Sequence, residues 1–436
     1  MRNIRIVLVM VVLAVLQVSV YASDVLSPKD VLMMKRVSSA VMSPKGDWIA
    51  YTVAVPREAT DKPGGAYSEL YLISVKTKEV RPFITGRENV SSVTWKPDGS
   101  ALAFLAARGD GASTQVWLIP AAGGESMQLT RSETPISSYA WSPAGDKIAY
   151  LAVSPRTARE KQLEGAGYGF VYYEEELKHR NLYVAEVTGS SATGSPKQLT
   201  KDLTVWSFVF SRDGRSIALA ASPRNLIDES YMFQRIHLLD LQSGAIKQVT
   251  NNPGKLGNFV LSPDGSHLAY AAALEQKDHA VSQAFVVNLS SGAVKNLTPP
   301  KFRGHVRWVD WQNASTILMG AGEATANTIS AVDIASGVRN VLLTSAGNGV
   351  IFDHPSFSAD VKSAAFSGNT PEIPGDLYVW NVGSEPERLT NLNAWVSERQ
   401  LGKQEVISYK SRDGAQIEGV LLYPVGYQNG TKYPLV

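Results

Sequence analysis

Ser43-Pro44-Lys45-Gly46-Asp47-Trp48-Ile49-Ala50-Tyr51 is the phrase that decides the fold. It returns as KPDGSALAF at 96–104, SPAGDKIAY at 142–150, SRDGRSIAL at 211–219 and SPDGSHLAY at 262–270. Two looser copies, QNASTILMG at 312–320 and SADVKSAAF at 358–366, bring the number to seven. Pro favours the second position of a β-turn, Asp or Asn its polar corner, and Gly the place that needs a positive φ. An apolar strand follows each turn. A large apolar residue usually precedes it: Trp95, Trp141, Phe210, Leu261, Trp311 and Phe357. Each copy therefore spells two strands around a turn.

A second phrase alternates with the first. It is an apolar strand, a Gly/Ser-bearing turn and another strand that ends in Thr, as in IHLLDLQSGAIKQVT and AFVVNLSSGAVKNLT. The closing threonines are Thr85, Thr130, Thr200, Thr250, Thr298, Thr344 and Thr390, spaced by 45, 70, 50, 48, 46 and 46 residues. Four short strands in each interval is the signature of a propeller blade. Seven copies of both phrases predict an all-β, seven-bladed β-propeller. Helical repeats would need a 3.6-residue apolar period, which these segments lack. A WD-type propeller would carry Gly-His and Trp-Asp in each blade, and only Gly304-His305 occurs.

The interval of 70 marks an insertion in the third blade, from about Ser154 to Arg180. It holds Tyr172-Tyr173 and the acidic run Glu174-Glu175-Glu176. Insertions in repeat proteins map to loops on one face, often the binding face. The run reads either as a solvated turn or as an anchor for a cationic group, such as a peptide's free amino terminus.

Ahead of the blades, Arg2 and Arg5 precede an uncharged apolar run from Ile6 to Val20 and a small-residue exit at Val20-Tyr21-Ala22. That is the anatomy of a secretory signal peptide cut after Ala22, and it predicts an exported, periplasmic or secreted protein. The run is short for a membrane span, which needs about 20 residues. Ser27-Pro28-Lys29-Asp30 then predicts a short helix through about Lys35, with Ser27 as N-cap.

Composition narrows the function classes. The 436 residues contain no cysteine, which excludes disulfides, cysteine-ligated metals and a thiol nucleophile. With 42 basic and 40 acidic residues there is no electrostatic footprint for nucleic acid. The six histidines, His179, His237, His267, His279, His305 and His354, show no metal-ligand spacing. No phosphate loop, dinucleotide fingerprint or G-x-S-x-G elbow occurs, so no cofactor, metal or catalytic residue is expected in this chain. The nearest miss, Gly124-Glu125-Ser126-Met127-Gln128, falls in an inter-strand turn of the repeat.

The last 30 or so residues leave the repeat. Ser411-Arg412-Asp413-Gly414 leads into Ile417-Glu418-Gly419-Val420-Leu421-Leu422-Tyr423-Pro424, and Lys432-Tyr433-Pro434-Leu435-Val436 closes the chain. This resembles the junction between propeller and catalytic domain in the prolyl oligopeptidase family of serine peptidases. The stretch from Ser27 through the first turn phrase is similar to the start of its acylaminoacyl-peptidase and dipeptidyl-aminopeptidase-like members. The resemblance implies a leader (1–22), a seven-bladed propeller (23–403) and the first strands of an incomplete α/β-hydrolase domain (404–436). It implies the substrate-gating portion of an exopeptidase for short peptides, whose Ser-Asp-His triad lies outside this chain. Tyr173-Glu174-Glu175-Glu176 matches the second half of the family's amine-reading D-W-x-Y-E-E-E motif, while Phe170 and Val171 replace its Asp and Trp. The implied partners are short peptides and the hydrolase domain, with no membrane association once the leader is removed. The alternative is a free-standing periplasmic propeller of the Tol type that binds a protein or ligand. That type carries a small α/β domain before its blades, whereas here the repeat begins by Ser43.

Overall fold

Each copy of the turn phrase joins the first two strands of a four-stranded antiparallel sheet, and seven such sheets follow one another along the chain. The computed structural model describes residues 25–109, 111–169, 173–175, 177–189, 191–347 and 349–436. The expected leader, Glu176, Tyr172, Phe170 and Val171 lie outside these described residues. Blade 1 runs from Arg36–Met42 to Val80–Ile84, and blade 7 ends at Glu387–Arg388. In blade 7 the innermost strand is split into Ile351–Phe352 and Ser356–Phe357. Pro355 stands at the break, where it offers no N–H to the ladder.

The turn phrase folds as its chemistry dictates. Gly46, Gly99, Gly145, Gly214 and Gly265 all have φ of 70–75°. Ser43, Ser142, Ser211, Ser262 and Ser358 each donate to the turn's aspartate. Each also accepts the N–H that opens the next strand, at 2.9–3.2 Å. The turns touch around the ring. A Cβ on Gly99, Gly145 or Gly214 would lie 3.9, 3.3 or 3.6 Å from the proline Cδ of the preceding blade's turn (Pro44, Pro97, Pro143). Blade 4 has Arg212 in place of that proline, and Gly265 of blade 5 meets nothing within 4 Å.

The recurring threonine also has a structural cause. The Thr130, Thr200, Thr250, Thr298 and Thr390 hydroxyls accept the N–H of Val116, Leu182, Ile236, Ala284 and Leu377 at 2.8–2.9 Å. Each thus satisfies a buried donor on the third strand just where the outer strand ends. Ser345 does the same for Asn327 in blade 6. In blade 1 the bond runs the other way, from the Gly86 N–H just past the outer strand to Glu69 of the third strand.

Second strands are buried along most of their length, Ala101–Ala106 at every residue, because both faces are covered by neighbouring blades. Apolar clusters span each junction between neighbours: blades 1/2, 2/3, 3/4, 4/5, 5/6, 6/7 and 7/1. The last of these joins Val37, Met42 and Ile49 to Ala365, Leu377 and Val379, and closes the ring. Every blade is built from consecutive strands, so among the described residues no terminal strand crosses over to complete another blade.

Helix α1 (Pro28–Leu32) has the expected Ser27 cap and adds a reciprocal bond from Asp30. It stops short of Lys35. Lys35 is instead clamped by Asn393, and Val37 N–H bonds Gly375 O at 3.0 Å, so ring closure ends the helix early. Two further helices lie in inter-strand connections, α2 (Ala158–Gly165) in blade 3 and α3 (Ile227–Tyr231) in blade 4.

Candidate functional site

Strand direction alternates within each blade, so the connections alternate between two faces of the ring. The turn phrases lie on one face. The chain ends, the connections between second and third strands, and helices α2 and α3 all lie on the other.

The terminal face presents apolar surface. Val31 and Leu32 of α1 and Met33 just after it are exposed, Leu32 with 75% of its surface. Ile227 and Tyr231 of α3 are exposed as well. The segment after blade 7 forms a hairpin, Gln404–Lys410 with Gln416–Leu422, whose strands pair only with each other among the described residues. Its Ser411-Arg412-Asp413-Gly414 corner repeats the blade turn, with Ser411 Oγ on Asp413 and Gly414 N–H on Ser411 O. Thr325 in blade 6 touches Glu418 of the hairpin at 3.2 Å, which sets the hairpin against this face. Val406, Tyr409, Val420 and Leu422 are all more than half exposed. A two-stranded hairpin is marginal in water without a packing partner, and such clustered apolar surface marks an interaction site.

The blade 3 insertion is tied down at its base. Thr157 and Glu160 cap α2 reciprocally. Lys178 reaches Glu160 at 2.7 Å. The Lys178 ammonium, followed by the Thr157 N–H, holds the Glu160 carboxyl down at about 2. Lys161 pairs with Glu133 at 2.6 Å, and Asn225 of blade 4 donates to Lys178 O. At the tip, Glu174 and Glu175 occupy an exposed turn, with Glu174 at a φ of 60°. Neither enters an ion pair among the described residues. Tyr173 beside them is 83% exposed.

Next to the insertion, blade 4 opens a cavity of about 490 Å³ lined by Arg224, Glu229, Phe233, Arg235, His237 and Gln248, among others. Glu229 is nearly buried and paired with Arg224 at 3.0 Å. His237 Nδ1 donates to Arg235 O at 3.1 Å. Burial lowers the pKa of that imidazole, leaving Nε2 as a neutral acceptor. No sequence motif marks this pocket. The Leu226-to-Phe233 stretch that builds it breaks strand alternation and offered the available signal.

One constellation mimics a catalytic triad, on the opposite face. Asn288 Nδ2 faces His267 Nε2 at 3.2 Å, His267 Nδ1 faces Ser266 Oγ at 2.7 Å, and Ser266 Oγ donates to Asp264 at 2.8 Å. The amide donates to Nε2, so the ring donates from Nδ1. Serine then stands between imidazole and carboxylate, and its proton points away from the ring. A nucleophilic serine needs the imidazole in the middle, accepting that proton. The near-elbow Ser126 accepts from Arg108. Among the described residues, no helix is long and apolar enough to cross a membrane.

The comparisons with known proteins agree with this architecture. No family model matches the chain. An uncharacterized peptidase of Bacillus subtilis, YuxL, is 25% identical over 93% of this chain and 65% of its own length. The chain is similar to the propeller portion of prolyl oligopeptidase family peptidases. This peptidase-like propeller superposes on an acylaminoacyl peptidase solved with Z-Gly-Gly-Phe-chloromethyl ketone. The TM-score is 0.69 at 14% identity, covering 94% of this chain and 60% of that one. The propeller domain of the Trilobed protease from Pyrococcus furiosus, described as having an open velcro topology, matches with a TM-score of 0.58 at 13% identity. It covers 82% of this chain and 99% of that domain. At such identities the structural likeness is one of fold. The peptidase-like propeller thus spans about two-thirds or less of the full-length peptidases it matches.

Proposed function

We propose that this chain is the substrate-gating propeller portion of an exported serine exopeptidase acting on short peptides. The observation that carries this reading is the terminal face. Both chain ends leave the ring there, and an apolar hairpin whose strands pair only with each other among the described residues stands on it where relatives continue into a hydrolase domain. In this reading the α/β-hydrolase domain packs on that face and supplies the acyl-transfer chemistry. The propeller restricts entry and orients the substrate. Glu174, Glu175 and Glu176 serve as anchors for the substrate's amino terminus, the first two lying in the exposed turn on the same face. The leader read at 1–22 directs export.

The test is direct. The reading frame beyond Val436 is expected to encode His-Gly-Gly and G-x-S-x-G segments. Its longer product is expected to cleave aminoacyl chromogenic substrates, blocked by a serine-directed inhibitor, while residues 25–436 alone do not. Reversing the charges of Glu174 to Glu176 in the longer product raises KM for free-amine peptides and leaves N-blocked peptides unchanged. A stop followed by unrelated sequence, or hydrolysis by the propeller alone, contradicts the proposal. Equal effects on free and blocked peptides return the glutamates to a solvated turn.

A further inference from the structure

Among the described residues, blade 2 holds a cation without an anion. Arg108 follows the second strand of that blade (Ala101–Ala106) and lays its guanidinium over the rings of Trp117 at 5.0 Å and Phe104 at 5.3 Å. Its Nη1 donates to Ser126 Oγ. Its Nε is buried and has no acceptor, and Arg108 forms no ion pair among the described residues. A buried donor left without a partner is costly, so such groups call for an explanation.

Two cavities meet at this side chain. The larger, about 800 Å³, also contains Arg87, Glu88 and Glu125. Its charge is already balanced, since Arg87 pairs with Asp61 at 2.8 Å and Glu58 at 3.2 Å. The smaller, about 220 Å³, is lined by Arg108, Arg131, Ser113, Ser132, Gln115 and Trp117, among others, with no carboxylate among its described lining residues. Gln115 is fully committed. Its amide donates to Ser113 Oγ and Ser132 O and accepts from Thr130 and from Ser132 N–H. Arg131 forms no ion pair among the described residues. Two guanidinium groups and two hydroxyls therefore converge on a small cleft whose fixed polar wall is self-satisfied.

We propose that this cleft is a carboxylate-binding site. The stacked rings fix the plane of Arg108, and its guanidinium gives the cleft a flat, permanently charged donor of the kind that suits a carboxylate. Arg131 supplies the second charge. The volume takes an end group and not a whole peptide. The loop carrying Arg131 and Ser132 continues to Glu133, which pairs with α2, so the cleft borders the blade 3 insertion on the terminal face. The proposal does not depend on the peptidase reading, because binding is measured without cleavage.

Calorimetric titration of the chain with N-acetyl-glycyl-glycine, with its C-terminal amide and with inorganic phosphate tests it. Saturable binding of the acid is expected, with the amide at least tenfold weaker. Arg131→Gln, an exposed change, is expected to weaken the acid at least fivefold. Arg108→Lys, which keeps the charge and loses the flat donor, is expected to do the same. Arg87→Gln leaves binding unchanged. Equal binding of acid and amide, tighter binding of phosphate than of the acid, or an Arg131→Gln protein that is folded and binds as before would each overturn the assignment.

Discussion

Asp310 lies between two tryptophans on the innermost strand of blade 6 (Gly304–Asn313), where its Oδ1 accepts the Trp311 N–H at 2.7 Å. Burial outweighs that bond and pushes its carboxyl up to about 6. A carboxyl raised above its unfolded value of about 3.9 costs nothing below pH 4, and its full penalty is present above about pH 6. Asp310→Asn keeps the acceptor oxygen and removes the charge. It is expected to stabilise the protein by about 2 kcal/mol at pH 7.5, with the gain vanishing by pH 4. Denaturant titrations of both proteins across that range check this, and a gain independent of pH would rule out the charge as its cause. The turn aspartates act in the opposite sense. The Ser262 and Ser266 hydroxyls hold Asp264 down at about 2, so its contribution is lost on acidification. The Asp-Gly corners were legible in the sequence because a turn is a local event. Asp310 was not, because its desolvation comes from neighbours far along the chain.

The threonine that closes each blade was plain as a pattern, while its purpose needed the structure. A periodic residue type states that a requirement repeats but does not say which atom meets it. Five of the seven accept a buried N–H, whereas Thr85 is exposed and takes no such bond among the described residues. The contrast yields a paired expectation. Thr200→Val preserves shape but strands the Leu182 N–H and one partner of Asn181, costing about 1–3 kcal/mol. Thr85→Val stays within about 0.5 kcal/mol. Denaturation midpoints decide it, and equal losses at both sites would contradict the capping role. The insertion was likewise half legible. Its length and acidic run stood out, whereas helix α2 and its Thr157–Glu160 capping box emerged only with the structure. The ion pairs that fasten it to Glu133 and to blade 4 depend on how neighbouring blades stack.

A ring whose blades are each built from consecutive strands faces one difficulty at the scale of the whole molecule. Six junctions join blades adjacent in sequence, so closing them costs little loop entropy. The seventh must bring together segments more than 300 residues apart without a shared strand. Apolar contact between blades 1 and 7 supplies part of what holds it, and polar bonds supply direction. Met42 N–H reaches Ser356 Oγ at 3.0 Å, and Ser367 Oγ reaches Val37 O at 2.7 Å. Asn393 grips the Lys35 backbone at both ends, accepting its N–H at 2.9 Å and donating to its carbonyl at 2.6 Å. Asn393 sits just past blade 7, where the chain turns towards the exposed hairpin, so the same residue closes the ring and orients its exit. Asn393→Ala is expected to lower stability by about 1–3 kcal/mol. Because the loss falls on one junction, amide exchange should quicken in blades 1 and 7 and stay unchanged in blade 4, on the far side of the ring. Uniform acceleration across all blades would mean that the propeller opens only as a unit. Unchanged exchange would mean that the apolar seam alone holds it shut.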